Sequence, residues 1–370
     1  MGEEGGVGAL LSTLTFAFIL GVLVLVHECG HFIIAKLVKV RVEIFSIGFG
    51  KKLFGIKKGD TDYRISLVPL GGYIKMAGDN PEEDRQGRSW EFLSKPVGKR
   101  AMIVFAGPLF NYIIAFLLFT LIFIIGFPSL TAKIGEVKEG YPAETAGIIA
   151  GDRVISVDGK DVELWEDFSD LIHAKTSGEN VSLRIERGEQ VVTLDVRPKV
   201  EVLKNLFGED IKVGLIGVGP ADETKLISYG FGKAVQLGAQ RIVALTKVTY
   251  LAFFNMVIGK ISMKELAGPV SIFKISGDAA KMGFVAVLHL MAVLSINLAI
   301  INLFPIPVLD GGYLFFLLLE KIKGKPLSIK TQEIAMRIGM SLLAVLMIFV
   351  FYNDFNRVGI LEKIAGFFGR

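Results

Sequence analysis

The sequence predicts a polytopic α-helical membrane protein with about four transmembrane helices, a β-hairpin segment and one inserted α+β domain. Three observations carry that prediction. Of 370 residues, 52% are hydrophobic and 21% charged, and the mean hydropathy is +0.54, where a soluble domain carries about 25% charged residues. Several uncharged runs are long enough to cross a hydrocarbon core of ~30 Å. Between two of them the composition changes, over residues 128–198, to that of a soluble domain. The net charge of +4 is small and dispersed, which gives no basis for a nucleic-acid partner. The single cysteine, Cys29, excludes an internal disulfide.

The first span is expected over Val7–Val38. Its apolar run has no basic segment before it and no small-residue cleavage site after it, so it reads as a retained span. A polar stretch follows from Lys39 to Lys99. Within it, Asp62 to Ala77 alternates like two strands joined at Pro69-Leu70-Gly71-Gly72, a hairpin signal. Residues 79–88 read as a charged loop. The second span is Ala101–Phe127, with Gly107-Pro108 expected to kink it and Asn111 buried on it. These elements form a first region, residues 1–127.

Residues 128–200 read as a small domain of short strands with one amphipathic helix over Leu164–His173; about seventy residues suffice for one core. Residues 201–282 hold a strand-like piece, Ile211–Val218, then a helical stretch, Leu226–Ile258. Lys233, Arg241 and Lys247 argue for an interfacial amphipathic helix there rather than a fifth span. Ala267-Gly268-Pro269-Val270 reads as a turn. Residues 283–370 carry the last two spans. The third, Gly283–Phe304, breaks at Pro305-Ile306-Pro307 and leads through Asp310-Gly311-Gly312 to Leu319. The fourth is Ile334–Tyr352.

Basic residues set the expected topology. The Lys36–Arg100 segment carries fourteen Lys and Arg, and the short Lys321–Arg337 loop is also rich in them. Both are expected on the cytoplasmic side, which puts the 128–200 domain outside the cytoplasm.

The chemistry is concentrated in His27-Glu28-Cys29-Gly30-His31. On a helix, i and i+4 lie about 40° apart, so His27 and His31 share a face with Glu28 beside them. Two imidazoles suit zinc, and the carboxylate suits the water it activates. A catalytic zinc site needs a third protein ligand. Asp310 is the candidate, because a carboxylate near membrane depth is costly without a partner. It follows a proline break and precedes two glycines that permit close backbone approach. Cys29 lies about 200° from His27 and should face away. His289 reads as a span histidine satisfied by its neighbours. Asn111, Asn297 and Asn302 read as interhelical hydrogen-bonding groups, with Asn302 near enough to Asp310 to do more.

With these residues in view, the chain resembles the site-two protease family of intramembrane zinc metalloproteases, closest to its bacterial RseP-type branch. The resemblance rests on four features: the H-E-C-G-H motif, Gly107-Pro108-Leu109-Phe110-Asn111, a PDZ-like pattern from Glu139 to Gly159, and Asn302 to Gly311 around Pro305, Pro307 and Asp310. It implies one zinc ion bound by His27, His31 and Asp310, with Glu28 as general base. It implies substrate contacts at Asn302, Pro305 and Pro307, joined by Asn297. It also implies that residues 62–77 are a membrane-dipping β-hairpin that pairs with an unwound substrate. Some close relatives carry two tandem PDZ domains; one fits here. The implied function is regulated intramembrane proteolysis of transmembrane protein substrates, such as anti-sigma factors and remnant signal peptides, in the bacterial inner (plasma) membrane. Two alternatives stand beside it. A zinc-dependent transporter would show a polar file across the bilayer, whereas these polar groups cluster near one face. A non-catalytic PDZ scaffold would have no need of Glu28.

Overall fold

A computed structural model describes residues 2–80, 87–205 and 209–357. The charged loop expected over residues 79–88 and the last residues of the chain lie partly outside these. Two compact units emerge. One comprises Met1–Ile122, Gly232–Phe253 and Ser262–Arg370; the other comprises Phe123–Phe231 and Phe254–Ile261.

In chain order the first unit begins with helix α1 (Gly2–Leu37). Two strands follow, β1 (Val42–Lys58) and β2 (Thr61–Met76), and then helix α2 (Val97–Ile125), which stays helical through Pro108. The second unit holds strands β3 (Phe127–Leu130), β4 (Ile134–Val137), β5 (Arg153–Val157), β6 (Lys160–Asp161), β7 (Val181–Arg187) and β8 (Gln190–Val196). It continues with β9 (Lys199–Lys204), β10 (Asp210–Leu215), β11 (Val218–Pro220) and β12 (Thr224–Ile227), and includes helices α3 (Pro142–Thr145) and α4 (Trp165–His173). The chain ends with α5 (Phe231–Val257), α6 (Pro269–Met282), α7 (Phe284–Asn302), α8 (Asp310–Lys323) and α9 (Ile329–Arg357).

Among the described residues, four helices are long and apolar enough to cross a membrane: Gly8–Leu37 within α1, then α2, α7 and α9. These are the four expected spans. Helix α5 is not among them.

The β1–β2 sheet corrects the reading of residues 62–77 as a self-contained hairpin closed at 69–72. The hairpin is larger. Lys58 pairs with Thr61 across a turn at Gly59, whose φ is +60°. Residues 44–47 pair twice, with 62–65 on one side and with 72–75 on the other. The two arms of the 62–77 segment therefore flank residues 44–47 and do not pair with each other. Alternation revealed both arms as strands, but a strand's own alternation does not encode its neighbour. The chain still reverses where expected, and Gly71 has φ +121°, a conformation that favours glycine.

The turn expected at residues 267–270 is the start of helix α6. Gly268 is its N-cap and Pro269 its first residue, a position where the missing N–H of proline costs nothing. The cap itself comes from far away in sequence. Asp354 of α9 is 1% exposed and accepts from the Gly268, Val270 and Ser271 amides and from Ser271 Oγ. A local reading of residues 267–282 could not find that partner. The apolar continuation after Asp310 is likewise a separate helix, α8.

The second unit is a PDZ-like α+β module. Its four-stranded sheet has the order β6-β5-β7-β8, and β4 pairs with β11. Phe168 and Ile172 of α4 pack on Val154, Leu183 and Ile185, as the amphipathic spacing of residues 164–173 requires. Asp152, 1% exposed, is held by two bonds from Arg187 at 2.8 and 2.7 Å. Glu223 accepts from Lys133 at 2.9 Å and also pairs with Arg153.

Candidate active site

The site begins with α1 meeting α2. A Cβ on Gly30 would fall 2.8 Å from the Ala106 carbonyl carbon, so glycine is what lets the two backbones come this close. One residue on, a Cβ on Gly107 would lie 2.8 Å from His27 Cε1 and closer still to the His31 ring. The glycine of the Gly107-Pro108 pair thus makes room for both imidazoles.

The two rings stand edge to face, with centroids 4.8 Å apart and Nε2 atoms 3.2 Å apart. Asp310 is the first residue of α8. Its Oδ2 lies 3.0 Å from His27 Nε2 and 3.5 Å from His31 Nε2. The potential ligand atoms of the three residues all fall within 4.8 Å of one another.

The outer nitrogens decide the protonation. His31 Nδ1 is 2.9 Å from the carbonyl oxygen of Ile103. A carbonyl only accepts, so Nδ1 carries the proton and the Nε2 of the neutral ring carries a lone pair. His27 Nδ1 is 3.3 Å from the side-chain amide of Asn111, which is fully buried and whose Oδ1 has no other partner. The two ends of an amide exchange by a half-turn. With Oδ1 toward the ring, Asn111 accepts from Nδ1–H, its buried oxygen is satisfied, and His27 Nε2 also presents a lone pair. The centre then holds two imidazole nitrogens and a buried carboxylate oxygen with no hydrogen-bond donor of its own. Three Lewis bases facing one another without a proton fit a cation, and an N₂O set with outer hydrogen bonds to both histidines fits zinc.

The approach to Asp310 is strained. Val308 has φ +100°, an outlier for a β-branched residue; such strain gathers at functional sites. Gly312 packs where a Cβ would lie 2.7 Å from Pro307 Cα, which folds the loop tightly onto the start of α8.

A cleft of about 570 Å³ opens beside this centre. His27, Glu28, His31, Asn302 and Asp310 line it, with Phe49, Tyr73, Ile74 and Met76 from the sheet and Val308 from the strained loop. Asn302 Nδ2 is 3.5 Å from His27 Nε2. A Cβ on Gly72 would lie 3.4 Å from Glu28 Cγ, so the sheet edge runs beside the carboxylate. The other expected contact residues lie elsewhere. Asn297 accepts from Thr249 Oγ1 of α5 at 3.3 Å. Pro305 is exposed, and Pro307 packs against Gly339 of α9. Cys29 does not line the cleft, and His289 meets Phe119 edge-on at 5.6 Å.

Sequence reasoning missed the Ile103 carbonyl and the role of Asn111 beside His27. A backbone carbonyl leaves no trace in sequence; Asn111, a polar group four residues after Gly107, was the available signal. Of the sheet residues at the cleft, Tyr73, Ile74 and Met76 fall in the 62–77 segment expected to meet the substrate, whereas Phe49 of β1 was not signalled.

The profile of Peptidase family M50 matches residues 15–346. A protein of Agrobacterium fabrum named as a zinc metalloprotease is 36% identical over 358 residues, covering 92% of this chain and 94% of the relative. The regulator of sigma-E protease RseP of Escherichia coli K12 is 32% identical, covering 93% and 98%. Among solved structures, the PDZ domain of an SdrC-like protein from Listeria innocua is 26% identical over 25% of this chain and 96% of that one, with a TM-score of 0.20.

Proposed function

The chain belongs to peptidase family M50, and from that premise we propose which residues carry its activity and what it cleaves. It is an intramembrane zinc metalloprotease, an integral protein of the bacterial inner membrane. His27, His31 and Asp310 hold the zinc and Glu28 is the general base. The observation that carries this assignment is the convergence of the three ligand atoms within 4.8 Å, with Glu28 on the same cleft.

Zinc bound there supplies the Lewis acidity that makes water a nucleophile near neutral pH and polarises the scissile carbonyl. Glu28 takes the proton of the attacking water and passes it to the departing amine. Asn111 and the Ile103 carbonyl keep both histidines in the tautomer that presents Nε2. Asn302, 3.5 Å from His27, hydrogen-bonds the substrate backbone beside the scissile bond.

Substrates are single-span membrane proteins, including anti-sigma factors and remnant signal peptides. A helix shields its own amides and must unwind before cleavage. Residues 72–76 pair with a strand on one side only among the described residues, and Tyr73, Ile74 and Met76 line the cleft. Strand addition to that edge holds the unwound segment extended beside Glu28. The site faces the cytoplasmic side and the PDZ-like module, residues 128–200, lies outside the cytoplasm, where it screens substrates after an earlier cut. The basic segment Lys36–Arg100 supports this orientation.

The decisive experiment replaces Glu28 with Gln and follows cleavage of a single-span reporter. Zinc content should stay the same and cleavage should be lost. Normal cleavage by the zinc-loaded variant would remove Glu28 from the mechanism.

A further inference from the structure

The turn between α1 and β1 and the entry to α2 bring three lysines together. Lys39 lies two residues beyond the end of α1 and holds φ +60°, a left-handed conformation uncommon outside glycine. Lys95 lies two residues before α2, and Lys99 falls in its first turn. Packing joins these segments. Val40 and Phe92 share one buried cluster, and the Arg41 amide donates to the Trp90 carbonyl at 3.0 Å.

Burial, then the charges of Lys99 and Lys39, push the Lys95 ammonium below its ordinary pKa. The three cations are carried by segments packed against one another. None of them has an acidic partner among the described residues. Nearby cations are treated differently: Arg100 pairs with Glu320 and Arg41 with Asp60. In the same region the guanidinium groups of Arg41 and Arg88 each lie 5.3 Å from the Trp90 ring. Tryptophan with flanking cations is characteristic of the headgroup layer.

We propose that Lys39, Lys95 and Lys99 form a binding site for the phosphate of an anionic phospholipid headgroup, at the membrane face where α1 ends and α2 begins. Like charges with no acidic partner among the described residues call for an anion to offset them, and basic pockets between span ends take acidic headgroups. The source is a lipid because the three residues bracket the ends of two spans, Leu37 and Val97, which sets them at headgroup depth. Ammonium groups serve a phosphate as point charges, so the site recognises charge more than headgroup shape. The proposal does not depend on the residue assignments at the zinc site.

The test uses the full chain in nanodiscs of equal parts phosphatidylcholine and phosphatidylglycerol. The lipid retained after transfer to neutral detergent is read by native mass spectrometry. Phosphatidylglycerol should be retained selectively. K39A/K95A/K99A should abolish the selectivity, and each single replacement should weaken it about fivefold. K51A/K57A/K58A removes the same charge from β1 and should retain the lipid as the parent does. Equal retention of the two lipids by the parent would overturn the proposal, as would loss of selectivity in both triple variants. Displacement of phosphatidylglycerol by inorganic phosphate would also overturn it and assign the site to a soluble anion.

Discussion

Replacing Asn111 tests the account of the histidine tautomers most directly. Asn111 is fully buried, so no water can take over its bond to His27. Asn111→Leu keeps the approximate volume and removes the acceptor, leaving the His27 Nδ1–H unpaired. An orphaned buried donor costs about 1–3 kcal/mol. Loss of a hydrogen bond behind a metal-ligating histidine lowers metal affinity about 10–100-fold, or about 1.4–2.8 kcal/mol. The two routes agree, so zinc affinity, measured by competition with a chromogenic chelator, should fall by one to two orders of magnitude. Asn111→Asp restores an acceptor and should recover much of that loss. The contrast is specific. An amide that donated to a bare Nδ1 would not be replaced by a carboxylate, and Asp would then bind zinc as poorly as Leu. Melting in excess chelator separates this effect from general destabilisation. Unchanged zinc affinity in the Leu variant would refute the reasoning.

Gly107→Ala places a methyl group against both imidazoles, and zinc content and cleavage should fall together; a variant that keeps full zinc content would contradict the close approach. Asp354→Ala removes one acceptor serving four donors at the start of α6. Donors left unpaired at about 1–3 kcal/mol each should lower the melting temperature clearly, and Asp354→Asn should recover part of the loss. Glu223 is held at about 2, first by Lys133 and then by Arg153. Its folded value lies below its unfolded one, so its contribution is present above pH of about 4.5 and is lost as pH falls toward about 2. Melting curves of the parent and Glu223→Gln should therefore converge across that range, and a gap that stays constant would rule out this linkage.

Much of the site was legible because each part has a local signature. Helical spacing alone puts His27 and His31 on one face. Asp310 stood out because a carboxylate near membrane depth needs a partner. The three asparagines show where legibility ends. Asn297 and Asn302 lie on one helix, five residues and about 140° apart, so they cannot both face the cleft, and spacing cannot say which does. The structure turns Asn302 to His27 and Asn297 to Thr249. Pro305 and Pro307 were legible as a break in the chain, while their surroundings depend on α8 and α9.

The sequence by itself determined the four spans, the soluble module and the zinc-binding chemistry. Hydropathy, periodicity and the cost of intramembrane charge are properties of a residue and its near neighbours. Only the tertiary structure decided which carbonyl holds His31, which amide holds His27, and which strand edge runs past Glu28. It alone capped α6 with a carboxylate 86 residues away. Each of these is a pairing between distant segments, and a hydrogen bond's partner is fixed by where the chain returns in space.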